Sequence, residues 1–397
     1  MNKPIPYGKQ NITAEDIKAV TDVLKSDYLT QGPKIEEFET AFADYIGCKY
    51  AVAVANGTAA LHLCTLALDV KEGDKVIVTP ITFAASSNCV RYCGGDVVFT
   101  DINPDTYLLD IIKVRELLEK SPKGTYKGII PVDFAGRAVD LEAFRKLADE
   151  YNLWIIEDAC HAPGGFFTDS SGVNQNCGNG NFAELAIFSF HPVKHIAAGE
   201  GGMITTNNKD LYEKLLMLRT HGITKNSDSY SNSIEFATGG LQSNSYPNWY
   251  MEMQALGYNY RLTDFQAALG ISQLTRADEG LKRRREIAAV YEKAFKGKSF
   301  IKGQSGSVEG HGYHLYILKV ENRLGLYNYL REKKIFAQIH YIPTHLMPYY
   351  KNLGWKEGDM PASEEYYTQC ISLPMYPTLS DEEQQYVIDC VNSFYES

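Results

Sequence analysis

Short apolar runs alternate with amphipathic segments along the first half of the chain. The runs YAVAVAN, KVIVTP, DVVFTDI, GIIPVDF and LWIIEDA are rich in β-branched residues, and segments with helical apolar spacing separate them. This alternation predicts βαβ units that build a largely parallel, buried sheet. Two more closely spaced runs, LAIFSF and GGMITTN, predict further strands. Together they indicate one large α/β domain.

The flanking segments follow other patterns. Thr13 and Asp16 make a capping-box-like start for a first helix, and a second helix is predicted to end at Gly47. Residues 226–250 are polar and predict a surface loop, or else a lid or subunit-contact loop. Two helices come next. The stretches YHLYILKV, RLGLYNYLREK, FAQIHYI, ISLPMY and SDEEQQYVIDCVNSFYE then predict a small α+β domain. We therefore divide the chain into residues 1–250 and 251–397.

Composition narrows the class of protein. The 397 residues are 44% hydrophobic and 22% charged, which is typical of a soluble globular protein. The net charge of −10 argues against a nucleic-acid or anionic-membrane partner, and we interpret the basic stretch LKRRRE as a solvated helix face. No apolar run approaches the ~20 residues of a membrane span, and the N-terminus lacks a signal-peptide pattern. A cytoplasmic protein is predicted.

The cysteines are scattered. None of the eight belongs to a C-x-x-C pair, and Cys89 and Cys93, four apart on a predicted helix, are expected to be free thiols rather than metal ligands. No metal site is predicted.

Two stretches at predicted strand ends carry candidate binding groups. Asn56-Gly57-Thr58-Ala59 joins a strand to a helix, where N–H groups and a hydroxyl can hold a phosphate, although an N-cap has the same pattern. Phe83 follows the next strand and is either a core residue or a stacking surface for a ring.

Two further strand ends carry ionisable groups. Glu157 and Asp158 end LWIIED, where a buried carboxylate needs a cation or a donor; a helix cap, a salt bridge and a magnesium ligand are all open at this point. Lys194 follows the strand-end Ser189 by five residues and precedes a glycine-rich run. A desolvated lysine in such a loop can act as a nucleophile.

Together the four stretches match what pyridoxal phosphate requires. The phosphate needs N–H and hydroxyl donors, the ring needs a stacking face, and the aldehyde needs a lysine. The ring nitrogen needs a carboxylate that keeps it protonated, so that the ring can take up electrons. The sequence therefore predicts pyridoxal 5′-phosphate as the cofactor.

The chain resembles the DegT/DnrJ/StrS family of pyridoxal-phosphate-dependent sugar aminotransferases over essentially its whole length. The supporting stretches are LTQGPKIEEFE, ANGTAALHL, TPITFAASSN, IIEDACHAPGG, FSFHPVKHIAAGEGG, LRTHGI, GYNYRLTDFQAALGISQL, AQIHYIP and SLPMYP. The resemblance implies the fold type I architecture of these enzymes, with a mostly parallel mixed sheet in the large domain and a small C-terminal α+β domain.

Residue roles follow from the resemblance. Lys194 would bond the cofactor aldehyde and shuttle protons, and Asp158 would pair with the ring nitrogen. The cofactor would also contact Phe83 (ring face), His161 (phenolic oxygen), Ser189, Thr58 and the Ala59 amide (phosphate), and Asn259 of a neighbouring subunit in a homodimer with shared sites. Many family members have glutamine where this chain has His161.

The substrate is also suggested by resemblance. FSFHPVK…GEGG, LRTHGITK and PVDFAG are most similar to the 4-aminotransferases of pseudaminic acid biosynthesis, which use L-glutamate and a UDP-linked 4-keto-6-deoxy-N-acetylhexosamine. The sugar pocket would include Tyr7, Thr30, Gln31, His340 and Tyr341. Arg219 or Arg261 would bind the glutamate carboxylate. Two alternatives stay open: an aminotransferase for another nucleotide-linked keto sugar, and a non-catalytic binding or regulatory protein, against which the intact Lys194 and Asp158 argue. The dehydratases that resemble this family have histidine in place of the catalytic lysine, so the presence of Lys194 favours transamination.

Overall fold

The computed structural model describes residues 3–396. The α-helices are α1 Ala14–Leu24, α2 Pro33–Ile46, α3 Gly57–Ala67, α4 Ala85–Tyr92, α5 Ile111–Glu119, α6 Leu141–Tyr151, α7 Lys209–Arg219, α8 Ile234–Ala237, α9 Asp264–Leu274, α10 Ala277–Phe295, α11 Arg323–Glu332, α12 Pro348–Lys351, α13 Pro361–Gln369 and α14 Asp381–Glu396. Short 3₁₀ helices cover Phe134–Gly136, Ser227–Ser229 and Thr344–Leu346.

The strands are short. They are β1 Ile5–Pro6, β2 Tyr50–Val54, β3 Lys75–Val78, β4 Asp96–Phe99, β5 Gly128–Ile130, β6 Trp154–Asp158, β7 Phe166–Thr168, β8 Asn174–Asn176, β9 Leu185–Ser189, β10 Gly202–Thr206, β11 Ile223–Thr224, β12 Glu252–Met253, β13 Ile301–Gln304, β14 Tyr316–Val320, β15 Ile335–Phe336 and β16 Cys370–Leu373.

A seven-stranded mixed sheet organises the large α/β part, in the order β2-β10-β9-β6-β5-β3-β4. β10 runs antiparallel to β2 and β9, and the other neighbours are parallel. Apolar clusters cover both faces, with α5 and α6 contributing to one cluster and α3, α4 and α7 to another. This is the predicted mostly parallel, buried sheet, and it brings the carboxyl ends of β3, β6 and β9 to one edge.

Local sequence explains the first two helices. The Thr13 side chain accepts from the Asp16 N–H while Asp16 accepts from the Thr13 N–H, so the predicted capping box is present. α2 begins with Pro33 and ends at Gly47, which has a φ of 85°. A left-handed residue after a helix favours glycine because it has no Cβ.

The C-terminal part contains the antiparallel sheet β13-β14-β16, packed with α10, α11 and α14. The predicted strand FAQIHYI is largely irregular: only β15 and a bridge from Gln338 to Ser372 pair. β15 pairs with β1, so the N-terminal segment joins the C-terminal part, while α9 packs on α1 and α2. The division at residue 250 stays a prediction.

The interpretation of LKRRRE as a solvated face is wrong at Leu281 and at one of its basic residues, Arg284, both of which are buried. Arg284 is 1% exposed and donates to the carbonyl oxygens of Tyr313, His314 and Met375. It lies between Leu281 and Ile287 at helical spacing, on the buried face of α10. Three carbonyl oxygens compensate its charge, which allows the guanidinium to be buried. The number of charged residues along a helix does not show which of them faces inward.

Residues 226–250 form an ordered segment with its own contacts. Tyr230, Tyr246 and Tyr250 pack their rings together, and Glu252 accepts from the Ser231 and Asn232 amides. The same region and its flank expose large apolar side chains, namely Phe236, Leu241, Trp249, Met251, Met253 and Leu256. Its role as a surface loop, a lid or a subunit contact stays a prediction.

Between residues 3 and 396, no helix is both long and apolar enough to cross a bilayer. The eight cysteines are free thiols. Cys89 is buried, in line with the expectation of buried thiols at Cys89 and Cys93, but Cys93 is only half-buried.

Candidate active site

A cavity of about 500 Å³ opens at the carboxyl edge of the large sheet. It lies where β6 and β9 end and where α3 and α4 begin. The segment after β15, from the C-terminal part of the chain, forms a further wall. Nine of the predicted site residues line it: Tyr7, Thr58, Phe83, Asp158, His161, Ser189, Lys194, His340 and Tyr341. The fold therefore gathers side chains from widely separated parts of the chain.

Asp158 is the last residue of β6 and is 5% exposed. Its Oδ2 accepts from the Ser86 hydroxyl at 2.7 Å, and its Oδ1 accepts from the Cys160 N–H at 3.2 Å. Ser86 lies in the first turn of α4, so a helix start and a strand end together orient one carboxylate. The helix-cap interpretation does not apply, because Asp158 caps no helix.

Lys194 lies in the loop between β9 and β10, and its N–H donates to the His191 carbonyl. Burial lowers the pKa of the Lys194 ammonium; the nearby Cys160 and Asp158 oppose this effect and the Arg284 charge adds to it. A lowered pKa increases the neutral fraction of the amine, which is the form that attacks a carbonyl carbon. The buried Arg284 thus acts on this lysine.

His161 is held in one orientation. Its Nδ1 accepts from the Ala135 N–H at 3.2 Å, so in the neutral ring the proton is on Nε2, which lies 3.4 Å from the Tyr341 hydroxyl. Burial, with the Lys194 charge next in size, lowers the pKa of His161 well below its ordinary value. His161 is therefore a neutral N–H donor at the cavity wall.

Thr58 and Ser189 contribute hydroxyls to the cavity from the place where the start of α3 lies against the end of β9 and the start of β10. Thr58 is in the first turn of α3, and Ser189 ends β9. Gly202 permits this arrangement, because a Cβ there would be 2.6 Å from the Asn56 carbonyl oxygen. The glycine run after Lys194 therefore serves the approach of β10 to the start of α3 as well as the space around the lysine.

Three other predicted residues that line the cavity, Phe83, Tyr7 and His340, come from three separate parts of the chain. Phe83 is 63% exposed, with its ring 6.4 Å from that of Tyr341. Tyr7 follows β1, whose pairing with β15 brings it to 5.1 Å from the His340 ring. His340 Nδ1 lies 2.9 Å from the Ser372 hydroxyl, and burial lowers the pKa of His340 to about 3.

Four predicted residues do not line this cavity. The Ala59 amide donates to the Asn56 side chain, which caps α3. Thr30 bridges to Thr263, and Gln31 follows it with a φ of 57°. Asn259 bridges to Thr220.

A family model for the DegT/DnrJ/EryC1/StrS aminotransferases matches residues 10–392. The chain belongs to this family.

Curated relatives span nearly the whole length. A UDP-4-amino-4,6-dideoxy-N-acetyl-beta-L-altrosamine transaminase of Campylobacter jejuni is 36% identical, with 99% of this chain and 98% of the relative covered. A GDP-perosamine synthase of Escherichia coli O157:H7 is 32% identical, with 99% of both chains covered. The chain is thus a sugar aminotransferase. The names of these two relatives contain different nucleotides, UDP and GDP.

Solved structures agree in fold. PseC of Helicobacter pylori, an aminotransferase involved in the biosynthesis of pseudoaminic acid, superposes with a TM-score of 0.86 at 29% identity, covering 99% of this chain and 100% of PseC. The putative sugar aminotransferase Spr1654 of Streptococcus pneumoniae, in its PMP form, gives 0.86 at 30% identity, with 99% of both chains covered. The predicted fold type I architecture is confirmed, and the enzyme uses pyridoxal phosphate.

The residues of the cavity fit that cofactor. The Thr58 hydroxyl at the start of α3 and the Ser189 hydroxyl at the end of β9 suit a phosphate. The Asp158 carboxylate suits a protonated ring nitrogen, and the Lys194 amine suits an aldehyde. The neutral Nε2–H of His161 suits an oxygen on the ring. These donors and acceptors have the chemistry that each part of the cofactor needs.

Sequence reasoning missed two groups at the cavity. Ser86 bonds Asp158, and its signal was a hydroxyl in the first turn of the helix that follows Phe83. His314 lines the cavity next to His161, with ring centroids 4.4 Å apart. It lies at the start of the predicted strand YHLYILKV, whereas candidate residues were sought at the ends of strands in the large domain; in the structure it precedes β14 by two residues.

A second cluster of ionisable groups lies behind the cavity. One carboxylate oxygen of Asp133, one of Glu157 and the Sγ atom of Cys177 all lie within 4.8 Å of one another, and the three residues are buried. Glu157 accepts from the Gly178 N–H, and burial followed by the Asp133 charge raises the pKa of Glu157. Burial raises the pKa of Asp133 to about 6. Two such carboxyls do not ionise together readily, so they favour a shared proton.

Proposed function

We propose that this enzyme transfers an amino group from L-glutamate to C4 of a UDP-linked 4-keto-6-deoxy-N-acetylhexosamine, the β-L-arabino ketone of pseudaminic acid biosynthesis. The observation that carries the aminotransferase step is the meeting of Lys194 and Asp158 in one cavity with the Thr58 and Ser189 hydroxyls. The name of the Campylobacter relative supports the UDP-linked amino sugar. The involvement of Helicobacter PseC in pseudoaminic acid biosynthesis supports the pathway.

Each residue has a physical task in this proposal. Pyridoxal phosphate, when bound, supplies an aldehyde that bonds amines and a ring that takes up electron density. Lys194 would hold the aldehyde, and its amine, when free, would move a proton at the substrate carbon. Asp158, fixed by Ser86 and the Cys160 amide, keeps a proton on the ring nitrogen. Thr58 and Ser189 bind the phosphate.

We propose that the enzyme is a homodimer with shared sites. Asn259, Thr30 and Gln31 do not line the cavity of their own chain, which supports a contribution to the neighbouring subunit. The 63% exposed Phe83 ring and the exposed apolar side chains of residues 236–256 would be covered in such a dimer. A cytoplasmic location is proposed with it, since nucleotide sugars and glutamate are cytoplasmic metabolites.

Two other candidate functions are weaker. A dehydratase relative would have histidine in place of Lys194, and here the lysine is present and lines the cavity. A non-catalytic binding protein would need neither the lysine nor the buried aspartate. The E. coli relative keeps a GDP-linked sugar open as the alternative substrate.

A panel of nucleotide-linked 4-keto sugars tests the substrate. With glutamate as donor, we expect the highest kcat/KM for the UDP-linked β-L-arabino ketone, followed by its D-xylo epimer, because contact with the C6 methyl discriminates by only ~1–3 kcal/mol. A clear preference for the D-xylo epimer would overturn the pseudaminic acid assignment and leave the aminotransferase standing. Preference for a dTDP- or GDP-linked ketone would overturn the nucleotide assignment.

A further inference from the structure

The cavity has few cationic groups for an acidic substrate. Among the described residues that line it, Lys194 is the only lysine or arginine, and its amine would be used to hold the cofactor aldehyde. The Arg219 guanidinium is bound to Glu39 and to the Ala53 carbonyl oxygen. Arg261 pairs through its backbone with Val54 and does not line the cavity. Neither arginine that the sequence suggested is therefore placed to bind glutamate within one chain.

His314 is a rigidly held cavity residue without an assigned task. It is 4% exposed, and its ring lies 4.4 Å from that of His161 and 5.8 Å from that of His195. Its backbone carbonyl accepts from the buried Arg284, and the next residue, Leu315, donates to the Ala135 carbonyl. Both the backbone and the ring are fixed before any ligand arrives.

The two ring nitrogens of His314 differ. Nδ1 is fully buried and has no hydrogen-bond partner within residues 3–396. Nε2 is not among the fully buried atoms without a partner, and it has no hydrogen bond to another protein atom within residues 3–396. Because His314 lines the cavity, we infer that Nε2 is the nitrogen that faces it. A buried N–H without an acceptor is rarer than an unsatisfied acceptor, so the proton is on Nε2. Burial and the Lys194 charge lower the pKa of His314 well below its ordinary value, which keeps the ring neutral.

We propose that His314 is a substrate-binding residue whose Nε2–H donates first to a carboxylate oxygen of the amino donor and then to an oxygen of the keto sugar. This inference rests on the proposed function. Two substrates occupy the cavity in turn, one anionic and one with neutral ring oxygens next to the reacting carbon.

A neutral donor suits both substrates. An arginine would bind the carboxylate more strongly, but it would stay buried and uncompensated when the neutral part of the sugar replaced the carboxylate. An imidazole N–H makes one hydrogen bond in each complex and leaves no unpaired charge in either. His314 thus accounts for how one cavity accepts two unlike ligands.

Two substitutions at His314 distinguish the role of its N–H donor from the role of its ring shape. His314→Phe keeps a planar ring against His161 and removes the donor, whereas His314→Gln keeps an N–H at similar reach. Each half-reaction of the cofactor-loaded dimer is followed separately by its absorbance change. Glutarate, which cannot react, is titrated as a probe of the carboxylate site, and the keto sugar is the one with the highest turnover in the panel above.

For His314→Phe we expect the dissociation constants of glutamate and glutarate to rise about 10- to 100-fold and that of the keto sugar about 3- to 10-fold, as the loss of a charged and a neutral hydrogen bond predicts. The limiting rate of each half-reaction should change little. His314→Gln should stay within about threefold of the unsubstituted enzyme in all three constants, since it keeps the donor.

Three results would overturn the proposal. The first is an unchanged dissociation constant for glutarate in His314→Phe, and the second is weaker binding of only one of the two substrates. The third is equally weakened binding in the Phe and Gln variants, which would assign His314 a packing role. If His314→Phe does not fold, His314→Met removes the donor in the same comparison. An unsubstituted enzyme that reacts with neither glutamate nor any keto sugar would instead overturn the proposed function itself.

Discussion

Glu157 and Asp158 are neighbours on β6 with the same functional group and opposite surroundings. Asp158 faces the cavity, where Ser86 and the Cys160 amide donate to it. Glu157 faces the interior, where it meets Asp133 and Cys177. Side chains alternate between the faces of a strand, so one residue step separates a group available to a ligand from a group enclosed with another acid. The chemistry of a carboxyl group here depends on its face and not on its type.

The largest effect is expected at the cavity side, where Asp158 acts together with Lys194. Lys194→Ala should lower turnover by more than about 10⁴-fold, because both the covalent bond to the cofactor and the proton shuttle are lost. Steady-state assays should show no comparable change for Lys293→Ala, an exposed lysine on α10. Turnover of Lys194→Ala within tenfold of the unsubstituted enzyme would remove Lys194 from the mechanism.

A smaller loss is expected at Asp158. Asp158→Ala and Asp158→Asn should lower kcat by about 10²- to 10⁴-fold with the fold intact, because the ring nitrogen loses its proton-holding partner. Circular dichroism and thermal unfolding would check the fold. A variant that is unfolded at room temperature would show that Asp158 resembles Glu157 in being structural, and the contrast between the two faces would fail.

Subunit mixing tests whether the cavity is complete within one chain. Lys194→Ala and Asn259→Ala chains, each inactive or impaired alone, should form heterodimers with one restored site. Random exchange should then recover about a quarter of the full activity, because half of the dimers are mixed and each has one intact site. No recovery, with Asn259→Ala clearly impaired as a homodimer, would argue for a site built from one chain.

The smallest effect on catalysis is expected on the interior face of β6, at Glu157 and Asp133. There the quantity to measure is the free energy of unfolding. The pKa of Asp133 is raised to about 6 from its ordinary 3.8, so between these values the folded state binds more protons than the unfolded state. The stability that the shared proton contributes is therefore present at low pH and falls as the pH rises through about 4 to 6.

Glu157→Gln should reduce this decline, because an amide can donate to the ionised Asp133 at every pH. Urea unfolding at pH 5 and pH 8 measures the difference, with Glu235→Gln on the exposed face of α8 as a matched control. Turnover should stay within about tenfold, since Glu157 does not line the cavity. An equal pH dependence in both variants would show that the two acids share no proton.

Sequence reasoning located most of the cavity because its residues occupy recognisable places. Asp158 and Ser189 end apolar runs, Thr58 begins a helix after one, and Lys194 precedes a glycine run. In a parallel sheet the carboxyl ends of such strands meet at one edge, so their position along the chain predicts proximity. Local pattern was also sufficient for the capping box at Thr13 and the helix end at Gly47.

The misses have a common physical cause. Arg284 has the sequence pattern of surface charge, and only packing shows that its helix turns it toward three buried carbonyl oxygens. FAQIHYI has a strand pattern, yet most of it is irregular, and its His340 and Tyr341 line the cavity. Each depends on contacts between segments distant in sequence, which periodicity does not describe.

From the sequence alone, local pattern predicted the α/β class, and side-chain chemistry at strand ends together with a family resemblance predicted the family and the cofactor. The same reasoning proposed Lys194 and Asp158 as the central pair. The tertiary structure alone decided that Asp158 opens to the cavity while Glu157 meets Asp133, and that His314 joins His161 at the cavity wall. Burial and the identity of neighbours set the protonation and hydrogen bonding of a group, and both arise only when separate elements pack together.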